Sequence, residues 1–177
     1  MLVVLMLKLI GALMIMLSGT FVGMYQANLF ASRPKQIREL VLIFQRLLTE
    51  INYSYNPLAE ALQKIGLQAS KPLGRLFISA AEHMNSPKGH SANESFHYAI
   101  DKYWSQTAMK QPEKEVILQL SLSLGTSDRE EQNKHITLAI QQLNHEEITA
   151  REDQLKYEKM SRSLGLLVGA LIVILIL

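Results

Sequence analysis

The sequence predicts an all-α protein, in which a six-helix cytoplasmic bundle lies between an N-terminal and a C-terminal transmembrane helix. Apolar residues recur at three- and four-residue spacing through the middle of the chain, and the alternating pattern of a strand is not found. The two ends are apolar, since all 16 acidic residues lie between Glu39 and Glu158. We therefore expect a transmembrane helix over residues 1–31, one bundle domain over 32–162 and a C-terminal anchor over 163–177.

The N-terminal segment is long enough to cross a bilayer. Residues 2–30 carry one formal charge, Lys8, and exceed the roughly 20 residues that a spanning helix needs. A cleaved signal peptide is the alternative, because a lysine before an apolar run is typical of one, but "YQA" and "LFA" are poor cleavage sites. Arg33, Lys35 and Arg38 follow the segment, so the positive-inside rule predicts that its C-terminal end is cytoplasmic.

The C-terminal segment, "SLGLLVGALIVILIL", is uncharged and would reach about 22 Å as a helix. Lys156, Lys159 and Arg162 precede it and can extend to the lipid headgroups, which again predicts that the charged side faces the cytoplasm. An apolar tail that lies on the membrane, or that packs in a core, is the alternative.

Each apolar end also contains two glycines four residues apart, Gly19 with Gly23 and Gly165 with Gly169. Small residues at this spacing let helix backbones approach closely in lipid, although the pattern also arises by chance in apolar runs. We expect the two glycine faces to pack together, within one chain or between neighbours.

Three amphipathic helices are predicted in the first half of the bundle domain. The first starts after "SRPKQ" and buries one stripe, made of Ile37, Leu40, Val41, Phe44, Leu47, Leu48 and Ile51. The second has Asn56 as its N-cap, Pro57 at its first position and Gly66 just past its end. The third begins near Ser70 and ends at the loop "NSPKGHS".

The fourth and fifth helices have clear start signals. Ser91 and Glu94 form a capping box for the fourth, and Pro112, followed by acidic residues, opens the fifth. Both helices carry apolar residues at helical spacing, so both are expected to pack in the same bundle.

The stretch "LGTSDREEQ" is interpreted as the corner between the fifth and sixth helices. Gly125 can take the left-handed conformation that ends a helix, and Ser127 with Glu130 forms the capping box of the next one. The sixth helix has no glycine or proline before Gly165, which predicts a long polar stalk that continues to the membrane. Such a stalk is either solvated or a weak coiled-coil seam, and its few apolar residues favour a stalk that is solvated or that touches the first helix.

The residue types that carry chemistry do not form a recognisable site. The chain has no cysteine, and the phosphate-binding patterns GxxxxGK[ST] and GxGxxG, the zinc motif HExxH and the serine motif GxSxG are missing. His83, His90 and His97 lie seven residues apart, but "NSPKG" breaks any helix between the first two. With 18 basic and 16 acidic residues, nucleic acid is not an expected partner either. We predict a non-enzymatic protein with no catalytic residue, cofactor or metal ligand.

Three further stretches resemble one protein family. The motifs "RPKQIREL", "TEINYSYNPLAEAL" and "LGTSDREEQ", in this order, are similar to the stage III sporulation protein AB family of endospore-forming bacteria, and the resemblance covers the chain from Met6 onward. It implies a six-helix cytoplasmic domain similar to that of the inner-membrane platform proteins of type II secretion and type IV pilus systems. It also implies a role in the secretion-like channel apparatus between mother cell and forespore.

The same resemblance implies partners and a location. They are the stage III sporulation AA-type ATPase, which resembles secretion ATPases, other membrane components of the apparatus and membrane lipid, at the mother-cell-derived outer forespore membrane. Secretion platforms carry two copies of the domain, whereas this chain has one, so a homo-oligomer is a further hypothesis. A membrane-tethered oligomeric adaptor or sensor that does not contact an ATPase is the alternative function.

Arg129 is the residue of the corner that helix capping does not explain. Together with Asp128 and Glu130 it is our candidate contact for a protein partner. A solvated helix cap with no partner is the alternative.

The glycine faces give a first testable prediction. A chain with Gly23→Cys and Gly169→Cys should form a disulfide crosslink in membranes, within one chain or between two, because close helix packing brings these positions together. The measurement is a mobility shift on non-reducing gels, and the natural chain, which has no cysteine, is the control. If the two positions crosslink neither within a chain nor between chains, the glycine faces do not meet.

Overall fold

The computed structural model confirms the all-α prediction. It describes the backbone of residues 2–54 and 56–176, with side chains for 31–54 and 56–157 and for Gly11, Met14, Ser18, Met160, Ser163 and Leu167. In these ranges the chain forms six α-helices, a short 3-10 helix and no strand. The elements are α1 (Leu2–Tyr53), α2 (Leu58–Gln68), α3 (Leu73–Met84), α4 (Ala92–Tyr103), the 3-10 helix Trp104–Gln106, α5 (Gln111–Ser123) and α6 (Arg129–Ile176).

The chain divides into two compact units. One is the helical bundle Arg33–Thr149, and the other consists of Met1–Ser32 and Ala150–Leu177, the first part of α1 and the last part of α6. Among the residues that the structure describes, no helix combines the length and the apolar character needed to cross a membrane. For the glycine pairs Gly19/Gly23 and Gly165/Gly169 only the backbone is described, so their packing is not tested, and the predicted membrane segments and domain boundaries stay predictions.

The core of the bundle is built around α1. Its residues Ile37, Leu40 and Leu47 are fully buried, as the predicted apolar stripe requires. The Phe44 ring meets the Phe77 ring edge to face at a centroid distance of 6.4 Å, and Phe77 meets Phe96 in the same way at 5.6 Å. Because edge-to-face pairs add to the free energy gained by burial, this row of rings ties α1 to α3 and α4.

Within the bundle, α6 runs antiparallel to α1. Asn133 Nδ2, near the start of α6, donates a hydrogen bond of 2.6 Å to Asn52 Oδ1, near the end of α1. Further along α6, Glu147 Oε1 accepts a hydrogen bond of 2.6 Å from Nη2 of Arg38, which is earlier in α1. The first residues of α6 therefore lie beside the last residues of α1.

The helix start predicted after "SRPKQ" is wrong, because α1 begins well before it and continues through Pro34. Proline removes one hydrogen bond from a helix and crowds the preceding turn, so it persists only where other contacts compensate. Here Pro34 is buried and its neighbour Arg33 is fixed by ion pairs described below. A signal for a helix end was thus overridden by tertiary contacts.

The predicted limits of the second helix are also wrong. Helix α2 starts at Leu58 after Pro57, with no side-chain cap from Asn56, and Gly66 lies inside the helix. A Cβ added to Gly66 would lie 2.9 Å from the Gly74 carbonyl oxygen, and one added to Gly74 would lie 2.6 Å from the Gly66 carbonyl oxygen. Gly66 is therefore a contact residue between α2 and α3, and not a helix terminator.

The other start signals have mixed outcomes. Ser91 and Glu94 form the predicted capping box. The Ser91 backbone amide donates to the Glu94 carboxylate at 2.9 Å, and the Glu94 backbone amide donates to Ser91 Oγ at 3.2 Å. The first of these hydrogen bonds lowers the pKa of Glu94 below its usual range. Helix α3 begins at Leu73, three residues after the predicted start near Ser70. The N-cap of α6 is Asp128, whose Oδ1 accepts the Glu131 N–H at 2.8 Å, so the N-cap predicted at Ser127 was wrong by one residue.

Gly125 has the positive φ that its corner position predicts, at 80°. This left-handed conformation is easily reached only by glycine, so it ends the α5 segment and turns the chain toward α6. The prediction for Gly125 is confirmed.

The close approach of α2 and α3 gives a second prediction. Gly74→Ala should lower the free energy of unfolding by about 1–3 kcal/mol, because its methyl group would press on two backbone carbonyl oxygens that cannot move independently. Urea unfolding of the full chain in detergent, followed by circular dichroism, measures the change. Gly11→Ala is the matched control, because a Cβ there meets no atom within 4 Å; equal stability of the two variants would contradict the packing described.

Candidate functional site

A buried ion cluster lies where α1, α5 and α6 meet. Arg33 donates through Nε and Nη2 to Glu113 Oε1, at 3.1 and 2.6 Å, and through Nη2 to Glu146 Oε2 at 3.2 Å. The Glu113 side chain is fully buried and that of Arg33 nearly so, whereas Glu146 is partly exposed. One guanidinium therefore joins three helices.

Glu113 uses both of its carboxylate oxygens. While Oε1 binds Arg33, Oε2 accepts the backbone N–H of Lys110 at 2.6 Å and so caps the start of α5. A buried carboxylate is tolerated when its oxygens are paired in this way. The first turn of α5 and the first turns of the bundle part of α1 are thereby fixed to each other.

The structure places the predicted membrane-flanking basic residues in different surroundings. Arg33 is in the buried cluster, Arg38 forms an exposed ion pair with Glu147, and Lys35 and Lys156 are exposed. Lys159 and Arg162 lie outside the residues with described side chains. Whether these six residues flank a membrane stays a prediction.

A cleft of about 230 Å³ lies at the other end of the bundle, beside the corner that begins α6. Its walls come from the end of α1, the start of α2 and the corner itself, and the lining residues are Glu50, Ile51, Ser54, Asn56, Leu58, Ala61, Gly125, Arg129 and Gln132. The lining mixes apolar residues, such as Ile51 and Leu58, with polar ones, which suits a side chain of a partner that carries both kinds of surface.

Glu50 is the acidic group of this cleft. Its Oε1 accepts a hydrogen bond from Lys64 Nζ, and this bond is the main reason that the pKa of Glu50 lies below its usual range. Glu50 is therefore ionised at neutral pH. Ser54, which also lines the cleft, adds to this lowering of the pKa of Glu50.

The three residues predicted as a partner contact do not share one role. Asp128 caps α6, and Glu130 pairs with Lys134 at 3.0 Å on the outer face of α6. Only Arg129 lines the cleft, where it is exposed and has an interaction of its own. The structure brings Arg129 and Glu50 to the same cleft, a pairing for which the sequence held no signal because 79 positions separate them.

Two of the three evenly spaced histidines meet in the structure. Helix α3 ends at Met84, as the loop signal predicted, and the loop then returns His90 onto His83 with a ring-centroid distance of 4.0 Å. Tyr98 stacks on the other face of His83 at 4.4 Å, and His97 is exposed. Among the residues with described positions, no group of three metal-ligating side chains is found.

The fold and these two sites define a class of protein: a small helical bundle whose first and last helices both extend beyond it, with an ion cluster where they leave and a polar cleft at the opposite end. Comparison with known proteins narrows the class. The sequence profile named "Stage III sporulation protein AB" matches residues 8–177. A protein of that name from Bacillus subtilis (strain 168) is 37% identical over 172 residues, which cover 97% of this chain and 100% of the relative.

A solved structure with the same name superimposes with a TM-score of 0.66 at 34% identity, over 71% of this chain and 98% of that one. The chain therefore belongs to the stage III sporulation protein AB family, a family of sporulation proteins. The resemblance found in the three sequence motifs is confirmed.

The ion cluster gives a third prediction. Arg33→Met should lower the free energy of unfolding by about 3 kcal/mol, because it leaves the buried Glu113 carboxylate without its cation. Denaturant unfolding of the full chain in detergent measures the loss. Adding Glu113→Gln should recover part of it, since glutamine is neutral and still accepts the Lys110 N–H.

Arg38→Met is the matched control for this experiment. The Arg38 side chain is 60% exposed in its pair with Glu147, so its loss should cost less than about 1 kcal/mol. If Arg33→Met and Arg38→Met lower the free energy of unfolding equally, the buried cluster stabilises the fold no more than an exposed ion pair does.

Proposed function

We propose that this protein is a non-enzymatic membrane platform component of the secretion-like channel apparatus between mother cell and forespore. In this role it couples a cytoplasmic secretion-type ATPase, the stage III sporulation AA-type protein, to components in the membrane. The proposal rests on family membership and on the geometry of the bundle.

The observation that carries the proposal is the contact between Arg33 and Glu146. These residues lie where α1 comes into the bundle and where α6 leaves it, so both connections are made at one end. In the sequence, both helices run on into the apolar terminal segments that we predict to be membrane anchors, which carry between them a single formal charge, Lys8. An anchored bundle of this kind would present its other end to the cytoplasm.

That other end contains the cleft with Arg129. From Arg129 to Glu146 the α6 helix is about 25 Å long at 1.5 Å per residue. In the proposed mechanism the ATPase contacts the cleft and corner, and the α6 helix transmits the displacement toward the ion cluster and the anchor. The buried core and the cluster support this role because they leave little freedom for α6 to move against α1.

The proposed location is the mother-cell-derived outer forespore membrane, with the bundle in the cytoplasm and lipid around the two anchors. Self-association is part of the proposal, because secretion platforms carry two copies of this domain and this chain carries one. The second candidate function, a tethered adaptor or sensor that oligomerises and never contacts an ATPase, uses the same anchors but gives no role to the cleft.

Binding to the ATPase gives the fourth prediction. The full chain in detergent should co-purify with the AA-type ATPase, more strongly in the presence of ATP. Arg129→Glu should raise the dissociation constant of this complex about tenfold, because it reverses the charge at the cleft. Arg75→Glu is the matched control, since Arg75 is exposed on α3 and lies outside the cleft lining.

Thermal unfolding of each variant separates binding from folding. Equal melting temperatures with weaker binding only for Arg129→Glu would support the cleft as the contact. A natural chain that is folded in detergent and does not bind the ATPase at all would favour the adaptor, and a loss of fold in Arg129→Glu would make Arg129 a structural residue.

A further inference from the structure

The loop that joins α3 to α4 folds back on the end of α3. We define the strap as residues 85–90, "NSPKGH". The Ser86 N–H donates to the His83 carbonyl oxygen at 3.3 Å, and the Gly89 N–H donates to the Ser86 carbonyl oxygen at 2.9 Å. Gly89 has a positive φ of 64°, a conformation that glycine reaches easily. The Ser86 Oγ atom is buried, so the strap packs on the bundle instead of extending into solvent.

A stack of three rings holds the last residue of the strap. The His90 ring lies on His83, near the end of α3, with a centroid distance of 4.0 Å and an interplanar angle of 18°. Tyr98 of α4 stacks on His83 at 4.4 Å. His83 Nδ1 also lies 3.2 Å from the hydroxyl of Ser95, which is fully buried. The position of His83 is therefore fixed by α4, and His90 ties the strap to it.

Glu94 is the acidic group beside the stack. Its Oε2 lies 3.8 Å from His90 Nδ1. The hydrogen bond from the Ser91 backbone is the main reason that the pKa of Glu94 lies below its usual range. Glu94 is therefore ionised throughout the range in which histidines titrate, and it favours a proton on His90.

Positive charge lies on the other side of the stack. The Lys102 ammonium group is 5.7 Å from the centroid of the Tyr98 ring. The charged residues that are next to the stack in sequence are exposed, so that solvent screens them, and they are Glu82, Lys88 and Asp101. In the described part of the chain, no charged group of α2 or α5 forms an ion pair with either histidine.

The stack accepts one proton more easily than two. Histidine is the side chain that ordinarily titrates between about pH 5 and 8. A first proton on His90 is paired with Glu94, whereas a second proton on His83 would place two positive charges on rings 4.0 Å apart, with Lys102 near the next ring. The Tyr98 face attracts a cation on His83, but this attraction is weaker than the repulsion between two full charges at that distance.

We propose that the strap is an acid-sensitive latch, which is closed on His83 while the two rings share at most one proton and opens when both are protonated. The open state binds one proton more than the closed state, so a falling pH favours opening. The strap leads into the start of α4, where Asn93 Nδ2 donates to Ser121 Oγ of late α5 at 2.9 Å. The latch is thus at the end of the bundle that contains the Gly125 corner, and it does not depend on the contact with the ATPase.

A buried thiol measures the opening of the strap. Ser86→Cys introduces the only cysteine of the chain, and a maleimide should modify it in the full chain in detergent only while the strap is open. Its rate is divided by that of Leu67→Cys, which is 71% exposed on α2, to remove the pH dependence of the thiol itself. Below about pH 6 this ratio should rise about tenfold per pH unit, because opening takes up one proton.

A second substitution tests whether the histidine stack causes the rise. His90→Phe keeps a ring on His83 and removes one titrating group, so the ratio for Ser86→Cys should stay low and nearly independent of pH. His97→Phe is the matched control, because His97 is exposed on α4 outside the stack, and it should leave the rise unchanged. A ratio that does not rise in acid, or that rises equally with His90→Phe, would overturn the inference.

A third cysteine separates opening of the strap from unfolding of the bundle. Ser123 is a buried serine at the end of α5, so the thiol of Ser123→Cys should stay protected over the same pH range. Circular dichroism should show an unchanged helix content. Equal exposure of the thiols at positions 86 and 123 would mean that acid unfolds the bundle, and the latch would be rejected.

Discussion

The pairing of Arg33 with Glu113 and Glu146 is the contact on which the arrangement of the bundle depends. Removing a guanidinium and a carboxylate from water is costly, and the cost is offset only when geometry and hydrogen bonding are nearly complete. These hydrogen bonds form together only when three segments are aligned with one another. The segments are the start of the bundle part of α1, the capped start of α5 and the late part of the α6 segment in the bundle. Hydrogen bonds depend on direction more strongly than apolar contacts do, so this cluster favours one alignment of the three helices.

Much of the helical framework could be predicted from the sequence because periodicity and capping are local properties. The apolar stripe of α1, the capping box of Ser91 and the left-handed Gly125 all follow from residues within a few positions of each other. The helix start predicted after "SRPKQ" and the helix end predicted at Gly66 rest on the same kind of local signal, and both were wrong. Their surroundings, a buried ion cluster and a crossing with α3, involve residues distant in sequence, which local patterns do not encode.

The candidate cleft was predictable only in part. Arg129 could be singled out because helix capping explained its neighbours and not Arg129 itself, but Glu50 gave no signal as an ordinary polar position of an amphipathic helix. The stacking of His83 on His90 is a second contact that the sequence did not predict. The break between them was predicted correctly, yet a loop that ends a helix can also fold back on it, and that return depends on contacts with α4 such as the one between His83 and Ser95.

The joining of Arg33 to Glu146 also has a consequence for how such a protein could evolve. A folded unit whose first and last helices are hydrogen-bonded to each other is suited to insertion between two neighbouring antiparallel helices, because its two ends already lie side by side. The bundle Arg33–Thr149 therefore has the neighbouring ends that an inserted domain needs.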